Sequence, residues 1–115
     1  MSVVIFHNPR CSKSRQTLQL LQDNGVEPEV VEYLKNPPSK NRLKQILKML
    51  GLEPRQLMRT KETEYKEQGL ADESLTQEQL IDAMLATPKL IERPIVINGD
   101  KAAIGRPPES VLEIL

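Results

Sequence analysis

Tryptophan is absent from this 115-residue sequence, and only one Phe and two Tyr are present. Proteins that hold single-stranded nucleic acid stack its bases on aromatic side chains, so that class lacks its platform here. One cysteine, Cys11, and one histidine, His7, exclude an intramolecular disulfide and cannot fill a zinc site. An excess of either charge is missing too: 16 Lys and Arg balance 16 Asp and Glu, for a formal net charge of +0. No global basic field draws the chain to nucleic acid or an anionic membrane, so any anion site must come from a few local cations. Long apolar runs are also lacking. Val3–Phe6 is too short for a signal h-region, and nothing approaches the roughly 20 apolar residues of a membrane span. The expectation is a soluble protein of the cytoplasm.

Hydrophobic residues make up 38% and charged residues 28% of the sequence, the balance of a folded globule. No repeat or Gly/Ser linker divides it, so one domain spanning residues 1–115 is expected. Val3–Phe6 is a continuous β-branched and aromatic run, the pattern of an interior strand covered on both faces. It leads into the turn signal His7-Asn8-Pro9 and then Cys11. Helical spacing follows from Ser12 through Thr17, Leu18, Leu20 and Leu21, and Asn24-Gly25 stops it. Glu29–Tyr33 reads as a second strand, and a strand–helix–strand crossover makes a parallel pair.

Ser39 is positioned as an N-cap for a helix whose Leu43, Ile46, Leu47 and Leu50 share one face, with Gly51 at its C-cap. Pro54 starts a short helix toward Arg59, and residues 61–73 read as loop or irregular helix. Thr76 and Gln79 form a capping box ahead of Leu80, Ile81, Met84 and Leu85. Ile95-Val96-Ile97 reads as a strand, Asn98-Gly99 as a hairpin turn and Lys101–Ile104 as the return. Pro107 and Pro108 suit the first turn of a closing helix that buries Val111, Leu112 and Leu115. The order is βαβ, a helical insertion, then ββα. This predicts an α/β thioredoxin-like fold, a mixed four-stranded sheet flanked by helices.

Cys11 falls between an apolar strand and a helix. A helix N-terminus presents unpaired N–H groups and about half a positive charge, which stabilises a thiolate. Arg10, Lys13 and Arg15 add positive potential, and the Ser14 hydroxyl lies one helical turn on. Lone cysteines are commonly small buried hydrophobes, but Asn, Pro, Arg, Ser and Lys are poor company for a core thiol. Cys11-x-x-Ser14 has no second thiol, so turnover through Cys11 requires one from outside, such as glutathione or a small dithiol protein. His7 is either a hydrogen-bonded structural residue or a tuner of the thiol. Arg93, before Pro94 and the strand, and Arg106, after the hairpin, start near one sheet end if the two strands pair. Their guanidinium forks suit tetrahedral oxyanions, whereas Arg42 and Arg55 read as solvated surface cations.

The stretch His7-Asn8-Pro9-Arg10-Cys11-Ser12-Lys13-Ser14-Arg15 resembles the active-site loop of the glutaredoxin-coupled arsenate reductases, with their His-x-x-x-Cys-x-x-Ser-Arg pattern. The likeness continues through Tyr33–Ser39, Leu57-Met58-Arg59, Gln79–Asp82, Ile91–Val96 and Gly105-Arg106-Pro107. The resemblance implies a thioredoxin-like fold with Cys11 as nucleophile, His7 and Ser14 lowering its pKa, and Arg59, Arg93 and Arg106 binding the oxyanion. It also implies a cis Pro94 facing the cysteine. Implied as partners are arsenate, glutathione as co-substrate and a glutaredoxin, with no bound cofactor or metal and no nucleic acid or membrane. Arg10 departs from the small residue that relatives often carry. Spx-type regulators, which contact RNA polymerase, resemble the same family, but many carry Cys-x-x-Cys where this chain has Cys-x-x-Ser. A glutathione-dependent thiol oxidoreductase shares Cys11 but leaves the three arginines without a role.

Overall fold

The interior strand expected from Val3–Phe6 forms as β1 in the computed structural model, which describes residues 3–115. It leads to α1 (Ser12–Asp23) and β2 (Glu29–Val31), then to α2 (Lys40–Leu50), α3 (Thr63–Glu67) and α4 (Gln77–Ala86), and finally to β3 (Ile95–Asn98) and β4 (Lys101–Ile104). Short 3-10 helices occupy Pro54–Leu57, Pro88–Leu90 and Pro108–Ile114. The backbone divides into two compact units. One comprises the residues up to Asn36 together with Arg93–Leu115, and the other is Pro37–Glu92. Among the described residues no helix is long and apolar enough to cross a membrane.

The first unit holds a mixed four-stranded sheet in the order β2-β1-β3-β4. β1 pairs parallel with β2 and antiparallel with β3, and β3 pairs antiparallel with β4. Val3, Ile5 and Val96 point to one face and form a core with Leu21 of α1 and Val111, flanked by Leu18, Leu20, Ala103 and Ile114. Phe6, Ile95 and Ile97, on the alternate positions, are buried as well. A strand buried on both faces reads as an unbroken apolar run because neither side needs polar residues. β2 is shorter than the sequence pattern, ending before Glu32 and Tyr33.

Two expectations are corrected here. The hairpin turn is Gly99-Asp100, because Asn98 stays in the ladder opposite Lys101. Gly99 takes φ +64, the positive value that a II′-type first position requires. The closing segment is a 3-10 helix that buries Val111 but leaves Leu112 and Leu115 exposed. Three residues per turn carry those two leucines off the face that an α-helix would have presented to the sheet.

In the second unit α2 and α4 pack together through Leu43, Ile46, Leu47, Leu80, Ile81 and Met84, all buried. Each such side chain contributes roughly 1.5–3 kcal/mol of burial. The ion pairs that Lys40 and Lys44 make with Glu78 and Asp82 are exposed and contribute far less. The caps form as expected: the Ser39 hydroxyl accepts from Arg42 N, Gly51 ends α2 in the left-handed region, and the Thr76–Gln79 box starts α4. Arg55 differs from its expectation. It donates to the Tyr65 hydroxyl at 2.7 Å, to Leu70 O and to Asp72 O at 2.9 Å, and so ties residues 63–72 together.

Candidate active site

The sheet register brings the chemistry-bearing residues of the first unit to one end. β1 and β2 end there, β3 begins there and β4 ends there, since Phe6 lies opposite both Val31 and Ile95, and Ile95 lies opposite Ile104. The loop after β1 is held by short-range bonds. Asn8 Oδ1 accepts from Arg10 N at 3.0 Å, an Asx turn, and Asn8 O accepts from Cys11 N at 3.0 Å. Cys11 therefore arrives as the N-cap of α1, in extended backbone at φ −94, ψ 123.

Cys11 is half-buried and in no disulfide. Its thiol makes no cap hydrogen bond of the Ser or Asp kind. Burial pushes its pKa up, but the amide of Ser14, the Arg93 guanidinium and the amide of Lys13 outweigh that cost and hold it below the ordinary thiol value. The cause is the electrostatics of a helix start reinforced by an arginine. Arg106 Nη2 stands 3.5 Å from Sγ.

Arg93 and Arg106 are brought together as the strand pairing requires. Gly105 N donates to Pro94 O at 2.9 Å, and Arg106 Nε donates to Arg93 O at 2.7 Å. Both arginines precede cis prolines, Pro94 and Pro107; the first was expected from the resemblance and the second was not. Burial works against the Arg93 charge, yet Cys11 and Tyr33 favour it and raise its pKa. Tyr33, almost fully buried, thus belongs to this group although the sequence reading assigned it no role.

His7 and Ser14 form a buried pair, with Ser14 Oγ 2.6 Å from His7 Nδ1. Ser14 Oγ also accepts from Asn8 N at 3.0 Å. The hydroxyl is thus engaged with His7 and the loop, and Ser14 acts on the sulfur through its own backbone N–H. Burial lowers the His7 pKa, Glu32 opposes and Arg15 adds to the lowering, so the site favours the neutral imidazole. Arg10, Lys13 and Arg15 are exposed, and Arg15 Nη1 donates to Pro9 O at 2.9 Å.

Arg59 lies in the second unit and is set there by its own partners. Its Nε is 3.0 Å from Glu62 Oε1 and its Nη1 is 2.8 Å from Glu92 Oε1. No group of three or more His, Cys, Asp and Glu side chains among the described residues is arranged to hold a metal.

Sequence reasoning missed Asn8, Tyr33 and Gly105. Asn8-Pro9 carried a turn signal that could have pointed to the loop bonds. Gly105 is required by close approach: a Cβ there would collide with Thr17 Oγ1 and lie 2.8 Å from Pro94 Cγ. No local pattern shows that contact, because it joins three distant parts of the chain.

The model of the ArsC family matches residues 6–114. A protein of Escherichia coli strain K12, named only as uncharacterized protein YfgD, is 61% identical over 114 residues, covering 98% of this chain and 96% of that one. An arsenate reductase of Haemophilus influenzae is 55% identical over 116 residues and covers 100% of both chains. Among solved structures, the arsenate reductase from Vibrio cholerae is 55% identical, with a TM-score of 0.97 over 100% of this chain and 98% of that one.

Proposed function

The chain belongs to the ArsC family, and from that premise we propose that it is an arsenate reductase whose nucleophile is Cys11. The reading rests on one observation: the single thiol sits at the N-terminus of α1 with its pKa lowered, 3.5 Å from Arg106 Nη2 and beside Arg93. Two guanidinium groups and a helix start form an anion-binding wall around a nucleophile. Arsenate is a tetrahedral oxyanion that such a wall suits, and its arsenic accepts a thiolate. His7 and Ser14 hold the loop that carries the thiol.

In the first step the Cys11 thiolate attacks arsenic, an As–O bond breaks and the departing oxygen leaves as water with protons from the medium. The product is a thiolate–arsenate adduct. The thiol of glutathione then displaces a second oxygen. A glutaredoxin thiol takes the glutathionyl sulfur, and the electron pair of the broken As–S bond reduces As(V) to As(III). Hydrolysis of the remaining bond frees arsenite and restores Cys11. The sum balances as one arsenic acid and two thiols giving one arsenous acid, one disulfide and one water. The absence of a second cysteine makes the outside thiols necessary. Such a cycle needs a reducing compartment, and the cytoplasm is the one we assign.

The test is NADPH oxidation coupled through glutathione reductase, with arsenate, glutathione and glutaredoxin, comparing the protein with its Cys11→Ser variant. Arsenate-dependent oxidation that vanishes in the variant is the expected result. No oxidation by the folded protein with several glutaredoxins, or oxidation that survives Cys11→Ser, overturns the reading.

A further inference from the structure

The first unit holds seven Lys and Arg and seven Asp and Glu, yet its fold sorts them by sign. At the end of the sheet that carries Cys11, β1, β2 and β4 finish and β3 starts. Arg10, Lys13, Arg15, Lys35, Arg93 and Arg106 adjoin those strand ends, which puts six of the seven cations at the thiol end. The opposite end receives the acids. Asp23 closes α1, Glu27 and Glu29 lead into β2, and Asp100 sits in the hairpin turn. Glu113 joins them because the closing 3-10 helix runs back along the sheet, where Ile114 O accepts from Asn98 Nδ2 at 2.6 Å. Five of the unit's seven acids are therefore at that end, with Lys101 as its one cation. Of the other two, Glu32 pairs with Lys35 at 3.8 Å and Glu109 stands near the start of the closing helix. Arg10, Lys13 and Arg15 are exposed and, among the described residues, join no ion pair.

The 12 residues of α1 span about 18 Å at 1.5 Å each. Physiological salt screens a charge over ~8 Å, so the acids of the far end do not cancel the cations beside Cys11. A chain that is neutral as a whole thus presents a positive entrance to its only thiol. The dipole of α1 has its positive pole on the same side. Such a field acts before contact: it draws in anions and turns cations away, and it needs only charges near the entrance. Arg93 and Arg106 already stand at the sulfur. Arg10, Lys13 and Arg15 flank it within about one helical turn and suit a larger visitor than a single tetrahedral anion.

We propose that this positive end selects the outside thiol by its charge, so that the co-reactant reaching Cys11 is an anionic thiol of the glutathione class, a small peptide whose free carboxylates meet Arg10, Lys13 and Arg15. The inference rests on the reading of Cys11 as a nucleophile that needs an outside thiol, and adds how that thiol is recognised. Cationic thiols of similar reactivity are turned away at the same entrance.

The experiment is thiol–disulfide exchange without arsenate, using three reagents: glutathione disulfide, an anion; hydroxyethyl disulfide, uncharged; and cystamine, a dication. In each case the Cys11 thiolate bonds to one sulfur as the reagent's S–S bond breaks, and the other half leaves as a thiolate. Each rate constant is divided by that of the same reagent with N-acetylcysteine amide, a neutral thiol. At low salt the anionic reagent is expected to exceed the cationic one by ~10-fold or more, and the gap closes near ~0.5 M salt. Arg10→Gln combined with Lys13→Gln lowers the rate with glutathione disulfide by ~3–10-fold and leaves hydroxyethyl disulfide unchanged, the neutral reagent reporting any change in the thiolate itself. Lys101→Gln removes a cation from the opposite end and leaves all three rates unchanged. Equal normalised rates, a gap that salt does not close, or a double variant that moves all three reagents alike overturns the charge selection while Cys11 remains a nucleophile. If the folded protein exchanges with none of the three, the reading of Cys11 falls and takes this inference with it.

Discussion

Replacing Gly105 with alanine tests the packing that sets Arg106 beside the thiol. The added methyl would collide with Thr17 Oγ1 and stand 2.8 Å from Pro94 Cγ and 3.0 Å from Thr17 Cγ2. Neither neighbour can simply turn away. Thr17 is fully buried, with its hydroxyl donating to Lys13 O at 2.8 Å, and Pro94 is locked as a ring at the start of β3. Relief must come from moving α1 away from the sheet or from breaking the bond from Gly105 N to Pro94 O. Overpacking of this kind costs about 1–3 kcal/mol. For a chain of this length 1 kcal/mol corresponds to roughly 4 °C in Tm, so the expected loss is roughly 4–12 °C. Differential scanning calorimetry reads it directly. The next residue is Arg106, so the midpoint for alkylation of Cys11 should also rise as its guanidinium leaves Sγ. A variant that melts within ~1 °C of the parent, against the ~4 °C minimum of the packing estimate, and keeps its thiol titration would refute the claim that this glycine is required by close approach.

The Cys11 thiol should alkylate with iodoacetamide at a midpoint below that of an unfolded-chain cysteine, and Arg93→Ala should move the midpoint up. Because the folded pKa is the lower one, the thiolate's contribution to stability is full above the unfolded thiol value and is lost as pH falls through the folded pKa. The difference in Tm between the protein and Cys11→Ser should therefore grow as pH rises. Ser14→Ala strips His7 Nδ1 and Asn8 N of their buried partner, a loss of ~1–3 kcal/mol by denaturant titration. Unchanged stability would mean that the pair does not hold the loop. By NMR, His7 should titrate below the ordinary imidazole value, and its neutral form loses its stability advantage as pH falls through that folded pKa. Arg55→Ala removes the ties to Tyr65, Leu70 and Asp72, and hydrogen exchange should accelerate across residues 63–72 while the β1 amides keep their protection.

Much of the site was legible because its signals are local. Cys11 after an apolar strand and before a helix places a thiol at a helix start whatever the rest of the chain does. Arg93 and Arg106 could be matched once Ile95-Val96-Ile97 and Lys101–Ile104 were read as a hairpin. Tyr33 was not legible as a site residue, since it follows a strand in sequence and reaches Arg93 only through the β2-β1-β3 order. Arg55 and Arg59 look alike as isolated cations. One staples a loop and the other is held by two carboxylates, Glu92 being 33 residues away in sequence.

The sequence by itself determined the order of elements, the caps at Ser39, Gly51 and Thr76, and the position of the lone thiol, because periodicity, capping and turn chemistry act over a few residues. Tertiary structure alone decided that Ser14 turns its hydroxyl to His7, that Gly105 must be glycine, and that the closing segment winds as a 3-10 helix with Leu112 and Leu115 outside. Those outcomes depend on what packs across the sheet. Which atoms share a space is a property of the assembled chain, and no window of neighbouring residues contains it.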